Sequence, residues 1–203
     1  MEDTKRLSLL ADDIISTCNE GRLPLVISDR KQHLESIRRT VHANERGPAL
    51  RSFVLIGGLG KKARAKVLAE LEEAVANAQP VFLLTTGSFI GEGFDFPALD
   101  TLMLAMPISF RGRMIQYAGR LHRPRAGKNE VRIYDYVDSS SPLTMSMFRK
   151  RTAAYQKMGY KVELPLNLSI RMPSKSRQQG LFSYPVSEPE GVPLGDGNAF
   201  EST

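Results

Sequence analysis

Three side chains on one predicted helix are the strongest candidates for chemistry in this sequence. Gln116, Arg120 and Arg123 are spaced i, i+4, i+7, so on a helix over residues 111–122 they fall within an arc of roughly 60°. The opposite side of that helix is apolar and is expected to pack on a sheet, through Met114, Ala118 and Leu121. The helix therefore presents two guanidinium groups and one amide on its other face.

The two arginines lack acidic neighbours along this helix. No Asp or Glu lies three or four positions from Arg120 or Arg123, and residues 111–132 hold seven basic residues and one acidic residue, a local charge of +6. A planar guanidinium suits phosphate, so the cluster indicates binding of an external anion. A solvated basic face, or pairing with acids distant in sequence, explains the same pattern equally well.

A second basic cluster opens a predicted helix over residues 61–78. Its first turns carry Lys61, Lys62, Arg64 and Lys66, and the turn before it, at 57–60, is Gly-Gly-Leu-Gly. Because a helix N-terminus has free N–H groups and favours anions, this arrangement indicates a phosphate site. The alternative is a solvated helix whose charges are balanced by pairs such as Lys66–Glu70.

The GGLGKKA segment at 57–63 does not complete a P-loop, whose pattern is G-x-x-x-x-G-K-[ST]. The position of the first glycine is Leu55, and the Ser/Thr position is Lys62. No other segment of the chain matches the pattern. The chain alone is therefore not expected to cradle the β- and γ-phosphates of ATP together with Mg²⁺.

Hydroxyl and glycine residues follow the third predicted strand. Thr85, Thr86, Gly87 and Ser88 come first, and the segment GEGFDFP follows at 91–97. Hydroxyls and flexible backbone at a strand end can bind phosphate oxygens, and Asp95 can accept from ribose hydroxyls. A loop that needs two glycines for its shape, with an aspartate capping a turn before proline, is the alternative.

The composition excludes several classes of protein. Cys18 is the single cysteine, so a disulfide framework and a Cys-based zinc site are excluded, and the absence of a basic neighbour predicts a structural thiol. No apolar run reaches 18 residues, and the N-terminus does not resemble a secretion signal, so a cytoplasmic protein without membrane contact is expected. The net charge of +6 permits a polyanionic partner without requiring one.

Short apolar runs alternate with amphipathic segments along most of the chain. The pattern predicts strands at 25–27, 53–56, 81–84, 102–104 and 131–137, and helices at 4–19, 30–45, 61–78, 111–122 and 142–158. Strands that are apolar throughout indicate an α/β domain, in which helices flank both faces of a parallel sheet. In such sheets ligands bind at the carboxyl ends of the strands.

The sequence changes character at Pro165. The last 39 residues hold five of the twelve prolines and no apolar periodicity. We therefore predict one folded domain over residues 1–164 and a mostly disordered tail or linker over 165–203.

Three segments, taken in order, resemble the C-terminal RecA-like domain of superfamily 2 helicases. LVISDR at 25–30 resembles motif IV, TTGSFIGEGFDFP at 85–97 resembles motif V, and QYAGRLHR at 116–123 matches the Q-x-x-G-R-x-x-R pattern of motif VI at every specified position. The GGLGKKAR turn is similar to its counterpart in repair and restriction translocases. The resemblance covers roughly residues 5–164, with Glu92 where many members have Arg, unlike the DEAD-box RNA branch.

This resemblance implies that ATP and Mg²⁺ are bound mainly by an N-terminal RecA-like domain that supplies the P-loop. The present chain would supply Arg120 and Arg123 to the γ-phosphate, with Gln116 nearby, and the other nucleotide contacts would be Gly93, Asp95 and Gly119. An opposite rim would hold single-stranded or duplex DNA, or RNA, by its backbone, through Thr85, Thr86, Gly58, Lys61, Lys62 and Arg30. Opening and closing of the cleft would then move the strand.

Two other functions remain open at this point. The chain could be a non-catalytic module from a split or truncated helicase that binds nucleic acid or a partner. It could also be an unrelated nucleotide-binding α/β enzyme, although the sequence offers no complete catalytic set. In the motor interpretation the chain alone is expected to hydrolyse little or no ATP.

Overall fold

The five predicted strands form a parallel sheet at the centre of the fold. The computed structural model describes residues 2–45, 49–91, 94–106, 111–164 and 182–185. Its strands are β1 (Pro24–Ile27), β2 (Arg51–Leu55), β3 (Val81–Thr85), β4 (Thr101–Leu104), β5 (Glu130–Asp135) and β6 (Phe182–Pro185). They lie in the order β2-β3-β1-β4-β5-β6, and only β6 pairs antiparallel, with its neighbour β5.

Helices cover both faces of this sheet. They are α1 (Glu2–Asn19), α2 (Lys31–Ala43), α3 (Lys61–Ala76), α4 (Gly87–Gly91), α5 (Arg111–Leu121) and α6 (Pro142–Lys157). Side chains alternate between the faces along each strand, so the sheet contributes to two apolar cores. One core holds residues of α3, α4, α5 and α6, and the other holds residues of α1 and α2. The predicted α/β class is therefore confirmed.

Local sequence signals explain why the elements begin and end where they do. The chain leaves α1 at Gly21, which has a φ of +77° that favours glycine. Helix α6 begins after Ser141, whose hydroxyl accepts from the Thr144 N–H at 3.5 Å, with Pro142 at the first helical position. All five predicted helices and the five predicted strands end within two residues of the observed bounds.

Two elements were not predicted. Helix α4 spans five residues that we interpreted as loop. Strand β6 lies in the segment assigned to a tail, and the other residues of that segment lie outside the described part of the chain, so the boundary at 164 stays a prediction.

None of the helices in the described ranges has the length and apolar character needed to cross a bilayer.

Candidate functional site

Helix α5 and the turn that follows it bring the three candidate catalytic residues into one open groove. Its apolar side is fully buried against the sheet, through Met114, Ala118 and Leu121, as the periodicity predicts. The groove has a volume of about 510 Å³ and is lined by Gln116, Gly119, Arg120, His122, Arg123 and Pro124. Four of these six residues are the specified positions of the Q-x-x-G-R-x-x-R pattern.

The two arginines of the groove have different partners. Arg120 is half-buried, and its Nη1 donates to the carbonyl oxygen of Phe94 at 2.5 Å, which fixes the guanidinium group. Arg123 is exposed over 58% of its side chain, and its Nε lies 3.4 Å from Oδ2 of Asp95, which is 40% exposed. The alternative that the arginines pair with acids distant in sequence therefore holds for Arg123. Because the pair is solvated, it contributes at most about 1 kcal/mol, and a phosphate can compete for the guanidinium.

The groove does not lie at the carboxyl edge of the sheet, where the sequence analysis expected ligands. Helix α5 starts after the carboxyl end of β4 and runs back to the amino end of β5, so its last residues lie near the amino edge. The contacts agree, since Lys128 Nζ donates to the carbonyl oxygens of Arg123 and of Pro97, which precedes β4. Strand ends alone do not locate the groove, because α5 is long enough to carry its last residues from the carboxyl edge back to the amino edge.

The residues expected to contact a nucleotide are only partly described. Gly93 lies outside the described residues. Asp95 is at the groove through its ion pair with Arg123. Gly119 faces open space, since a Cβ built on it meets no atom within 4 Å. A glycine inside a helix costs about 1 kcal/mol relative to alanine, and nothing in the described part of this chain requires it.

A second group of candidate residues lies at the carboxyl edge of β2, β3 and β1, which are neighbours in the sheet. Helices α2 and α3 both begin there, next to the exposed side chains of Arg30, Lys61 and Lys62. Gly58 has a φ of +90°, so the turn before α3 favours glycine for conformational reasons. The N-cap residues Arg30 and Gly60 make no side-chain capping hydrogen bond. This edge combines cations with helix N-termini, an arrangement that favours phosphate oxygens.

The two threonines expected at this edge are almost fully buried. The Thr85 hydroxyl is fully buried and donates to the Leu55 carbonyl oxygen at 2.6 Å, so in this conformation Thr85 shapes the edge and cannot be a direct ligand. Thr86 is only 5% exposed, and its hydroxyl lies 3.2 Å from the Ser88 hydroxyl. Thr85 is the last residue of β3, so its hydroxyl reaches the neighbouring strand β2, and Thr86 stays a predicted contact.

The sequence analysis missed a polar cluster that links this edge to α5. Asp29 Oδ1 accepts from the Gly87 N–H at 3.2 Å, and its Oδ2 lies 3.9 Å from Arg113 Nη1. A Cβ at Gly87 would overlap the Tyr117 hydroxyl and lie 2.8 Å from Asp29 Oδ1, so the close approach requires glycine. Asp29 lies two residues after the apolar strand β1, which is the signal that could have identified it. Helix α5 thus contacts the carboxyl edge at one end and carries the groove at the other.

Lys128 is the second residue that the sequence analysis missed. It is 9% exposed, and burial lowers the pKa of its ammonium group to about 8. No pattern in the sequence separates it from the exposed lysines, because its burial depends on the turn that precedes β5.

The other candidate groups have structural environments. Cys18 is buried, its thiol lies 3.4 Å from the Val81 carbonyl oxygen, and burial raises its pKa to about 12, so it is not an activated nucleophile. His122 Nε2 lies 2.7 Å from the Tyr160 hydroxyl. Within the described ranges, no three acidic, histidine or cysteine side chains are grouped to hold a metal ion.

Comparison with known proteins gives a family match over most of this domain. Residues 6–125 match the family described as "Helicase conserved C-terminal domain". "Transcript termination protein A18" of Fowlpox virus (strain NVSL) is 27% identical over 141 residues, which are 68% of this chain and 29% of that protein. "Uncharacterized protein 108L" of Invertebrate iridescent virus 3 is 40% identical over 78 residues, which are 38% of this chain and 69% of that protein.

Three solved structures share the fold. The C-terminal part of the Fun30 ATPase domain has a TM-score of 0.54 and 17% identity, over 74% of this chain and 43% of that chain. T4 UvsW has a TM-score of 0.59 and 13% identity, over 75% and 32%. Dbp5 of S. cerevisiae, bound to RNA and ADP BeF3, has a TM-score of 0.53 and 16% identity, over 75% and 37%. The chain thus spans 29% of the fowlpox protein and less than half of each of these three.

Proposed function

The chain belongs to the family of helicase conserved C-terminal domains, and we propose that it is the second motor domain of an ATP-dependent nucleic-acid helicase or translocase. It would act with an N-terminal RecA-like domain that carries the P-loop, in the same polypeptide or in a partner chain. The observation that carries this proposal is the groove of α5, where Gln116, Gly119, Arg120 and Arg123 meet.

The donor set of the groove fits a nucleotide phosphate. Arg123 is exposed, and within the described part of the chain its ion pair is with the solvated Asp95. Its guanidinium can therefore exchange this carboxylate for a phosphate. Gly119 leaves room for close approach, because nothing lies within 4 Å of its missing Cβ. ATP, when bound, supplies the phosphoryl bond whose hydrolysis drives the cycle.

The residues of this chain would then have separate tasks. Arg123 and Arg120 would donate N–H groups to phosphate oxygens and stabilise the charge that develops on them, a role worth about 10³–10⁵ in rate for an arginine finger. Gln116 would hydrogen-bond beside them. Asp95, once released by Arg123, would be free to accept from a ribose hydroxyl. Mg²⁺ would be held by the N-terminal domain together with the phosphates of ATP.

The carboxyl edge would bind the backbone of a nucleic-acid strand. Arg30, Lys61 and Lys62 are exposed at the starts of α2 and α3, so both cationic side chains and backbone N–H groups face the same edge. Contacts of this type go to phosphates and do not read bases, so binding would be independent of sequence. DNA, single-stranded or duplex, is our first choice of ligand; RNA is the alternative, and the similar Dbp5 structure contains RNA.

Reconstitution tests the proposal directly. The 203-residue chain is mixed with the matching N-terminal motor domain, and ATP hydrolysis is measured with and without single-stranded DNA. We expect little turnover by either part alone and activity from the mixture. Arg123→Ala should lower kcat about 10³-fold, and Arg123→Lys should not rescue it, because a lysine keeps the charge and loses the planar fork.

A matched control is available on α6. Arg149 is exposed and far along the chain from the groove, so Arg149→Ala removes one arginine and should leave the rate unchanged. Equal activity with Arg120 and Arg123 both replaced would refute the motor assignment of α5. No ATP hydrolysis by the mixture would instead favour the alternative, a module that binds nucleic acid without an ATP cycle.

A further inference from the structure

Lys128 occupies an unusual position for a lysine. It ends a turn in which its N–H donates to the Arg125 carbonyl oxygen at 3.1 Å, and Gly127 in that turn has a φ of +81°. The turn directs the Lys128 side chain inward, where it is 9% exposed. A buried ammonium group is costly unless it is hydrogen-bonded, so its partners indicate its purpose.

Those partners belong to the two segments that form the candidate nucleotide groove. Lys128 Nζ donates to the carbonyl oxygen of Arg123 at 3.1 Å and to that of Pro97 at 3.2 Å. Pro97 is two residues beyond Asp95, the ion-pair partner of Arg123. One ammonium group therefore joins the backbone that carries the acid to the backbone that carries the arginine.

The charges around Lys128 come from three connecting segments, before β1, before β4 and before β5. Asp100, before β4, and Asp95 favour the ammonium form, whereas Arg125 and Arg22 disfavour it, and burial is the largest influence. Lys128 in turn helps to lower the pKa of His122, although burial of the imidazole is the larger cause. Together these influences give the Lys128 ammonium group a pKa of about 8.

We propose that Lys128 is a positioning residue of the candidate nucleotide groove: its ammonium group holds the Arg123 and Pro97 carbonyl oxygens together and so sets the separation of Arg123 from Asp95. This inference rests on the proposed function for its importance in catalysis. The link between Lys128 and the two carbonyl oxygens is formed within this chain and needs no second domain. A neutral amine is a weaker donor to a carbonyl than an ammonium group, so loss of the proton loosens the link and changes the environment of Arg123.

The test follows the Arg123 side chain in the 203-residue chain by NMR. The ¹⁵Nε shift of Arg123 is recorded through carbon detection between pH 7 and 9.5, and the signal is assigned by its loss in Arg123→Lys. We expect the wild-type shift to move with a midpoint near pH 8. Lys128→Arg keeps a donor that stays protonated, so its shift should remain constant over this range. The exposed Lys150 gives the control, because in Lys150→Arg the Arg123 shift should depend on pH as it does in the wild type.

Two results would overturn the inference. One is a wild-type Arg123 shift that stays constant from pH 7 to 9.5, and the other is a titration that persists in Lys128→Arg. Neither result depends on ATP hydrolysis. If the Arg123 shift follows the protonation of Lys128 but Arg123 is dispensable for activity, the positioning role stands and the proposed function is refuted.

The reconstituted ATPase supplies a second, independent measurement. At pH 9 about one tenth of a group with a pKa near 8 remains protonated, so wild-type kcat/KM should be up to about tenfold lower at pH 9 than at pH 7. Lys128→Arg should remove most of this decrease. A role limited to folding stability predicts the same pH profile for both proteins, and that result would also contradict the proposal.

Discussion

Arg123 and Asp95 form a solvated ion pair, 3.4 Å between Nε and Oδ2, that connects the end of α5 to the segment before β4. Both side chains are at least 40% exposed, so water already competes with the pair. An arginine held in this way keeps its orientation and can still exchange its carboxylate for another anion. The pair therefore prepares Arg123 for a ligand at little cost in free energy.

Asp95→Asn tests how weak this pair is. Because the pair is exposed, we expect the free energy of unfolding to change by less than about 1 kcal/mol. Urea denaturation followed by circular dichroism measures the change. A loss of several kcal/mol would mean that the pair is a structural element and not an exchangeable contact.

A buried pair in the same chain provides the comparison. Arg151 donates to both carboxylate oxygens of Asp135 at 2.7 and 2.8 Å, and both side chains are at most 3% exposed. Asp135→Asn leaves a buried guanidinium without its counter-charge, so it should cost roughly 3–5 kcal/mol in the same experiment. Similar costs for the two aspartates would contradict the distinction that we draw between the groove and the core.

Gly119→Ala separates stability from function. A methyl group at this position meets no atom of the described structure, and alanine favours the helix, so the variant should be more stable by about 0.5–1 kcal/mol. If a nucleotide approaches the groove closely, the same variant should lower kcat/KM of the reconstituted ATPase. A variant that is more stable and fully active would show that Gly119 serves neither the fold nor the ligand.

The opposite outcome is expected at Gly87. An added Cβ there would overlap the hydroxyl of the buried Tyr117 and crowd Asp29, so Gly87→Ala should lower the free energy of unfolding by roughly 1–3 kcal/mol. Thermal unfolding of the two alanine variants beside the wild type makes the comparison. If both shift in the same direction, the contrast between an open and a crowded glycine is wrong.

The groove could be predicted because its information is local. Gln116 and Arg120 share one face of α5, Arg123 follows two residues after its end, and the apolar residues on the other face fix the orientation of the helix on the sheet. Short apolar runs, which are also local signals, located the five central strands. The prediction that the site lies at the carboxyl edge of the sheet was wrong, because the position of the groove depends on how far α5 runs back towards the amino edge.

The remaining features depend on contacts between segments far apart in sequence. Asp29 meets Gly87 because β1 and β3 are neighbours in the sheet, and strand order is not written in periodicity. Lys128 looks like any surface lysine until the turn before β5 directs it inward. Thr85 was misjudged for the same reason, because its hydroxyl partner is on β2.

The carboxyl edge is tested by the salt dependence of strand binding. If Lys61 and Lys62 each contact one phosphate, replacing both by alanine should weaken binding of a fluorescent single-stranded DNA and reduce the slope of log K against log salt by about 1.4, or 0.7 for each contact. Fluorescence anisotropy between about 50 and 200 mM NaCl measures the slope. Lys150→Ala, on α6, is the control and should leave it unchanged. An unaltered slope in the double variant would exclude Lys61 and Lys62 as phosphate contacts.

Lys128 should also leave a signature in the pH dependence of stability. Its pKa is about 8 in the folded chain against an ordinary 10.5, so between these values the unfolded chain binds more protons than the folded chain. The contribution of Lys128 to stability therefore rises with pH in this window, by at most about 1.4 kcal/mol per pH unit, and does not change below pH 8. Urea denaturation at pH 7, 8, 9 and 10 measures it, and Lys128→Met should remove the rise. Cys18 acts in the opposite direction, because its pKa is about 12 in the folded chain against an ordinary 9.0, so above pH 9 its contribution to stability falls with pH. The effect of Lys128 is therefore the difference between the wild type and Lys128→Met, since both proteins keep Cys18. A rise that survives in Lys128→Met would belong to another group, and a fall with pH in the wild type relative to the variant would give the shift the opposite sign.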